Sequence, residues 1–338
     1  MEKAKEKAKE KVYLYGDGNN LKRSWEFLTN NYCICGIIDH KHTRSSYDMR
    51  EIPLYEPGQL SDLDKNIKVI ITCVYVPEIN RLLVEAGFKY IENIFKLRED
   101  EHFCFHKYNV FDEHYYEDAR ALLGDDESRY VFDQILYFRK CGVYDYSEIC
   151  SKEVQYFPES IYILDEAEIM VDAGAFIGDT IETFKKITQN KFKKIYAFEP
   201  NQENYNALLR QTNDDNRIEC YPYAVWDCEE KLGFAEDSYS GYIDTNGVDS
   251  VVQAISIDSV IKTPVSLIKM DVEGSELRAL QGAKQIIKKY HPRLSISVYH
   301  KEKDLYQIPL YLHKEYPEYK FSLRHHGQKW LETVLYAY

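Results

Sequence analysis

The sequence predicts an α/β protein with a small Rossmann-like unit, a helical connector and a larger doubly wound sheet. Three observations predict it. Residues 11–97 and 166–338 alternate apolar strand-like runs with segments of helical period, whereas 98–165 carry helical spacing alone. The stretch 169–200, IMVDAGAFIGDTIETFKKITQNKFKKIYAFEP, reads as strand, glycine turn, helix and strand, with a carboxylate at the tip of each strand. The last two apolar runs, 320–323 and 333–336, follow each other without a long helix, which suits an antiparallel hairpin at one edge of a parallel sheet.

In chain order, residues 1–10, MEKAKEKAKE, predict a solvated, fraying helix with pairs such as Glu2 to Lys5 and Glu6 to Lys9. With no apolar face, this segment does not read as a membrane-binding helix. The unit 11–97 then runs VYLYG, a turn GDGNN, a helix near 21–30, ICGIID, VIITCVY and an amphipathic helix around 79–86. Its turn keeps Gly16 and Gly18, and Asp39 follows Gly18 by 21 residues, close to the spacing of a ribose-binding acid. Leu21 stands where a third glycine would be. The unit loosely resembles the nucleotide-sugar-binding Rossmann-like domain that precedes some sugar-modifying enzymes; a packing or dimerisation module is the competing reading. The connector 98–165 places Tyr130, Phe132, Ile135, Leu136 and Phe138 at helical spacing, with Gly142 and Pro158 as breaks. Gln155, Tyr156 and Phe157 end it, where they either close over a ligand or pack as plain aromatics.

Composition bounds the partners. The chain of 338 residues can bury two cores, and a hydrophobic fraction of 44% is ordinary for a globular protein. A net charge of −13 opposes a nucleic-acid partner, because phosphate contacts need clustered Lys and Arg. No apolar run reaches the roughly 18 residues of a membrane span, and the lysine-rich start lacks a signal-peptide core. A cytoplasmic location is expected. The eight cysteines have no paired C-x-x-C spacing and read as reduced thiols. Oligomeric state is left open, a homo-oligomer included.

The glycine turn discriminates between two ligands. A dinucleotide seats its pyrophosphate on a helix N-terminus through G-x-G-x-x-G, but Phe176 holds the middle glycine position and Asp179 stands at the helix start, where it would repel phosphate. S-adenosylmethionine has no phosphate, and its positive groups suit Asp172 and Asp179. The competing reading is that both acids, with Thr180, merely cap a helix.

Beyond Pro200 come a helix 202–210, a strand 218–225, a loop with Asp237, Ser240 and Gly241, a strand 266–270, a helix from Ser275 and a strand 294–299. With 169–172, 194–198 and the terminal pair, this makes seven strands, the count of a class I methyltransferase sheet. The motif LIKMDVEGSELRALQGA delivers Lys269, Asp271 and Glu273 to a strand end, where Gly274 turns the chain. Through VDAGAFIGDT, YAFEPNQENYNAL, AISIDSVI, LIKMDVEGSE, FSLRHHG and ETVLYAY, the stretch from Gln155 to Tyr338 resembles the FkbM family of methyltransferases. Phe176 departs from it, standing where the family often has a small or polar residue.

The resemblance implies S-adenosylmethionine as methyl donor and a hydroxyl acceptor on a sugar or polyketide. It implies that Asp172, Gly174, Ala175, Phe176, Gly178, Asp179 and Thr180 shape the methionine end, that Glu199 and Pro200 hold the ribose, and that Asn201, Ala224, Val225 and Trp226 border adenine. Asp271 would sit where sulfonium and acceptor meet, with Tyr156, Glu273 and Arg324 toward the acceptor.

An alcohol acceptor needs a base or a metal. His300, at the end of the fifth strand, is the first candidate for the base, followed by Asp271 and by His325 or His326. Asp271, Glu273 and His300 could instead hold a divalent metal, although Glu273 could also serve only to cap the helix that follows. Arg324 and His325 could grip an acidic or phosphorylated acceptor. The expected function is O-methylation of a sugar hydroxyl in surface-glycan synthesis. Its alternatives are a non-catalytic module that binds the donor and a nucleotide sugar, and an NAD-dependent sugar-modifying enzyme using the Gly16 turn.

Overall fold

Runs such as VYLY and KVII bury both faces of a strand, as a parallel sheet requires. In the computed structural model, which describes residues 9–40, 52–73, 76–97, 113–141, 145–212, 215–236, 241–243 and 250–338, they do so in the first of two units. That unit holds β1 (Glu10–Tyr15), α1 (Asn19–Asn31), β2 (Tyr32–Ile38), β3 (Leu54–Tyr55), β4 (Lys68–Ile71), α2 (Val76–Glu85), β5 (Ile91–Asn93) and α3 (Ile94–Leu97). All pairings are parallel, in the order β3-β2-β1-β4-β5. Val12, Leu14, Ile38 and Val69 have no exposed surface, and Leu21 is equally buried in the place of the third glycine. Gly16 has φ +111°, and a Cβ there would meet the Cys73 Cβ at 2.9 Å. Asp39 accepts the Asp17 backbone N–H at 2.7 Å, so the acid closes its own turn. The helix expected at 1–10 lies, through residue 8, outside the described residues.

The second unit carries the rest. Its helices α4 (Glu113–Ala121) and α5 (Asp126–Cys141, through Phe138) precede the sheet. Then come β6 (Ile169–Ala173), α6 (Asp179–Ile187), β7 (Lys194–Phe198), α7 (Gln202–Thr212), β8 (Ile218–Tyr221), β9 (Ala224–Val225), β10 (Glu230–Glu236), β11 (Gly241–Ile243), β12 (Ser250–Ile255) and α8 (Ile257–Val260). β13 (Leu267–Met270), α9 (Glu276–Gly282), α10 (Lys284–Tyr290), β14 (Arg293–Ser297), α11 (Asp304–Glu315), β15 (Phe321–His325) and β16 (Thr333–Ala337) complete it.

The main sheet has seven strands in the order β15-β16-β14-β13-β6-β7-β8. β16 pairs antiparallel with both β14 and β15, and the other pairings are parallel. The order turns back between β6 and β13, which places a ligand crevice at their carboxyl ends.

Two expectations change. The single strand expected over 218–225 is divided: β8 closes the main sheet, whereas β9 joins β10, β11 and β12 in a second sheet ordered β11-β10-β12-β9. The loop expected there is therefore partly strand; Asp237 and Ser240 lie outside the described residues. The helix after the glycine turn is capped by Gly178 without a side-chain bond, so Asp179 and Thr180 are its first helical residues rather than its caps. The connector's helices have definite partners. Tyr116 packs edge-on against Tyr306 of α11 with ring centres 4.8 Å apart, and Asp125 caps α5 by accepting the Ser128 N–H at 2.8 Å.

Candidate active site

A cavity of about 340 Å³ opens at the carboxyl ends of β6, β7 and β13, within the size range of small-ligand sites. Its floor depends on one glycine. Gly174 follows β6 with φ +79°, and a Cβ there would lie 1.8 Å from the carbonyl oxygen of Asp271. Only glycine lets the two strand tips meet. The amides of Gly174 and Ala175 both donate to the Phe198 carbonyl, at 3.0 and 2.9 Å, tying the turn to β7.

Glu199 then braces the turn. Its Oε2 accepts the Phe176 N–H and its Oε1 the Asn201 N–H, both at 2.9 Å. Burial raises its pKa against the pull of these amides and of Lys269. Asn204 adds a side-chain hydrogen bond, and a carboxylate has lone pairs beyond these three for a ligand hydroxyl. Asp179, Thr180, Pro200, Ala224 and Val225 line the cavity with it. Asp172 is fully buried and does not reach the cavity wall; it faces Lys269, whose Nζ is 3.0 Å from Oδ1 and donates to the Gly174 carbonyl at 2.6 Å. Burial raises the Asp172 pKa. It also opposes the charge on Lys269, yet Asp172 and Asp271 raise that pKa overall, so the lysine keeps its proton.

The other end of the cavity is acidic and hydroxyl-rich. Asp271, Glu273 and Glu332 line it with Tyr156, Tyr299 and Gln155. The Tyr156 hydroxyl donates to Asp271 Oδ2 at 2.7 Å and the Tyr299 hydroxyl to Oδ1 at 3.1 Å. Burial alone would raise Asp271, but His300, Lys269 and hydrogen bonds from Tyr156 and Ser297 prevail and its pKa is lowered. Four wall residues, Tyr156, Phe176, Glu273 and Glu332, have left-handed φ of 65°, 49°, 54° and 76°. Such conformations cost about 1–3 kcal/mol each outside glycine and gather at functional sites.

His300 sits behind this wall. Its Nδ1 is 2.8 Å from Glu276 Oε1, and its Nε2 is 3.4 Å from both Asp271 Oδ1 and Glu273 Oε2. Neither ring nitrogen has an acceptor in line with its N–H, so charge rather than direction holds the cluster. Burial pulls the pKa of His300 down, yet the three carboxylates raise it to about 10. At neutral pH the ring is a cation. A general base must be neutral imidazole, and His300 does not meet that requirement.

The metal reading meets a similar obstacle. Donor atoms of Asp271, Glu276 and His300 lie within 4.8 Å of one another. The Asp271 oxygens already accept two tyrosine hydroxyls, and Glu276 Oε1 accepts the Val272 and Gly274 amides. Glu276 Oε2, by contrast, is buried without a hydrogen-bond partner, and Glu273, the third residue of the expected set, reaches His300 Nε2 only at 3.4 Å.

Several expected site residues stand away from the cavity wall. Asn201 caps α7, its Oδ1 accepting the Glu203 and Asn204 amides at 3.0 Å. Trp226 stacks under Arg278 at 5.5 Å. Arg324 faces α5, with Nη1 donating to Asp125 Oδ1 at 3.1 Å and Ser128 Oγ at 2.8 Å, so its fork is already engaged. His325 is fully buried; its Nδ1 lies 2.8 Å from Thr333 Oγ1 and its ring packs on Tyr146. His326 bonds the Tyr336 hydroxyl at 2.8 Å, and burial lowers its pKa to about 4. Ala175 and Gly178 shape the turn from beneath. Sequence reasoning passed over Tyr223, Phe234, Ile243, Tyr299 and Glu332, all on the wall. Phe234 and Ile243 reach it through the second sheet, and alternation along 230–236 was a signal for that strand.

The donor expected here fits this wall. Glu199 and Asp179 offer carboxylates to hydroxyl and cationic groups, and the turn of Gly174 and Gly178 brings backbone to the ligand's edge.

Residues 172–327 match the methyltransferase FkbM domain. No curated protein matches the chain. The crystal structure of methyltransferase FkbM from Methylobacillus flagellatus KT is similar over 98% of this chain and 90% of that one, at 24% identity and a TM-score of 0.76, a likeness of fold. An rRNA methylase from Streptococcus thermophilus is matched over 52% of this chain and 87% of that one, at 16% identity and a TM-score of 0.35. Fibrillarin from Aeropyrum pernix, solved with natively bound S-adenosyl-L-methionine, is matched over 52% and 67%, at 12% identity and a TM-score of 0.35. Among the described residues no helix is long and apolar enough to cross a membrane. Residues 172–327 form a methyltransferase domain of the FkbM family, on the Rossmann-like fold of class I S-adenosylmethionine-dependent methyltransferases.

Proposed function

We propose that this protein is an O-methyltransferase acting on a hydroxyl of a sugar or glycan precursor. The observation that carries the reading is the division of one cavity into a donor end around Glu199 and an acceptor end of Asp271, Glu273, Glu332, Tyr156 and Tyr299. Carboxylates accept hydrogen bonds from vicinal hydroxyls, and phenols both donate and accept. An anionic acceptor would meet three carboxylates there, whereas Arg324, the group suited to a phosphate, is spent on Asp125 and Ser128. S-adenosylmethionine, when bound, supplies an electrophilic methyl on a sulfonium. Glu199 holds the ribose, and Asp179 with the glycine turn holds the amino-acid end. Lys269 and Asp172 stiffen the floor, and Asp271 fixes the two phenols at the junction of donor and acceptor. Holding the reactants in line supplies much of the acceleration.

The test is a two-part assay. S-adenosylhomocysteine is titrated calorimetrically, and the protein with methyl-labelled donor is offered neutral methyl glycosides, amino sugars and sugar phosphates. Methylation of a neutral glycoside hydroxyl supports the reading. Donor-product binding with no labelled glycoside or amino sugar removes it.

A further inference from the structure

Among the described acids at the acceptor end, Glu332 alone lines the cavity without an ion pair within 4.0 Å. Asp271 has both oxygens bonded by tyrosine hydroxyls, and Glu273 is drawn to His300 Nε2 at 3.4 Å. Glu332 differs. It stands on the cavity wall just before β16, with φ +76°, and its backbone carbonyl accepts the His326 N–H at 2.9 Å, closing the β15–β16 hairpin. One of its carboxylate oxygens, Oε2, accepts the Gln155 side-chain amide. Gln155 adjoins Tyr156, whose hydroxyl bonds Asp271. The left-handed backbone and the Gln155 amide fix this residue in the lining of the acceptor end.

We propose that Glu332 is the general base of methyl transfer, a role that rests on the hydroxyl-acceptor reading above. The acceptor O–H proton passes to Glu332. The oxygen lone pair forms the new C–O bond as the carbon–sulfur bond breaks and its electrons return to sulfur. Products are the methyl ether, S-adenosylhomocysteine and a Glu332 carboxylic acid that loses its proton to water.

The electrostatics agree in direction. Burial raises the Glu332 pKa first and Asp271 adds to it, while the Gln155 amide, His300 and Lys269 pull it back. The groups facing it are Asp271 and Lys269 of the β13 strand and its tip, Tyr299 and His300 beyond β14, and Gln155 and Tyr156 before the sheet. A carboxylate whose pKa lies above the ordinary 4.5 is a better proton acceptor than Asp271, whose pKa is lowered.

The experiment compares wild type, Glu332→Gln and Glu332→Asp on the acceptor that the glycoside panel identifies, with S-adenosylhomocysteine affinity measured in parallel. Glu332→Gln is expected to lose about 100-fold or more in kcat with unchanged donor-product affinity. Its pH profile should lose the limb on which wild-type kcat rises, and Glu332→Asp should recover part of the rate. A Gln variant within threefold of wild type overturns the proposal. So does one that loses kcat and donor-product affinity equally, because that reports a wall-shaping role. If the Gln variant does not fold, Glu332→Asp decides: an unchanged kcat and pH profile overturn the assignment. Wild type that methylates no hydroxyl removes the parent reading and this one with it, whereas an active wild type with an indifferent Glu332 removes this one alone.

Discussion

Oε1 of Glu276 lies 2.8 Å from Nδ1 of His300 and also accepts the amides of Val272 at 3.0 Å and Gly274 at 3.3 Å. One fully buried oxygen thus fixes both the turn after β13 and the charge of the histidine behind it. Glu276→Gln keeps an acceptor for the amides and removes the charge. The His300 midpoint should fall from about 10 toward its ordinary 6.5, read by NMR titration of the ring. An unchanged midpoint would show that Asp271 and Glu273 suffice.

The same raised pKa makes stability depend on pH. A histidine that binds its proton more tightly when folded contributes fully below the unfolded midpoint near 6.5, and the contribution is lost as pH rises through about 10. The melting temperature of wild type should decline between these values more steeply than that of His300→Gln, in scanning calorimetry at matched ionic strength. Parallel curves would place the titration elsewhere.

Gly174→Ala puts a Cβ 1.8 Å from the Asp271 carbonyl in a backbone with φ +79°. Overpacking costs about 1–3 kcal/mol, and the left-handed conformation adds about 1–2 kcal/mol. Urea unfolding should show a loss in that combined range, with S-adenosylhomocysteine affinity falling alongside. Affinity that survives an otherwise destabilised variant would mean the two tips need not meet for the donor to bind.

Lys269→Met leaves Asp172 buried without its cation. Removing one partner of a buried pair costs about 3–5 kcal/mol, and the Asp172 side chain has no exposed surface. The variant should melt well below wild type, and Asp172→Asn in the same background should restore part of the loss. No restoration would assign the cost to the Gly174 carbonyl, which also loses its donor.

Glu199→Ala removes a carboxylate that two backbone amides share. Hydrogen bonds to a charged group are worth about 1.5–3 kcal/mol, so the Kd for S-adenosylhomocysteine should rise by about 10- to 100-fold. Equal affinity in calorimetry would take ribose recognition away from this residue.

The parts legible in the sequence share a cause: they follow from period and strand ends. Asp172, Glu199 and Asp271 end apolar runs, and the structure puts each at or just beyond the carboxyl end of β6, β7 or β13. Gly174 announces itself because only glycine suits so close a backbone approach. Arg324 was harder. Every residue of β15 is buried, so alternation assigns no face, and the partners Asp125 and Ser128 come from a helix almost 200 positions earlier. Glu332 escaped because a left-handed non-glycine residue leaves no pattern in a sequence. The division of 218–225 between two sheets was hidden for a related reason, since Tyr221 and Ala224 read as one apolar run and only strand pairing separates them.

Four left-handed side-chain-bearing residues around one cavity also bear on how a ligand is met. Their dihedrals are held by strand tips and hairpin bonds that exist before any ligand arrives, as between His326 N–H and the Glu332 carbonyl. The ordering of this rim therefore belongs to folding, and encounter leaves little backbone freedom to lose. Substitution of any of the four by glycine would relax the rim and shift its cost to the moment of binding. Donor-product titrations of such variants would then show a more unfavourable entropy of association, even where the contacts to the ligand are unchanged.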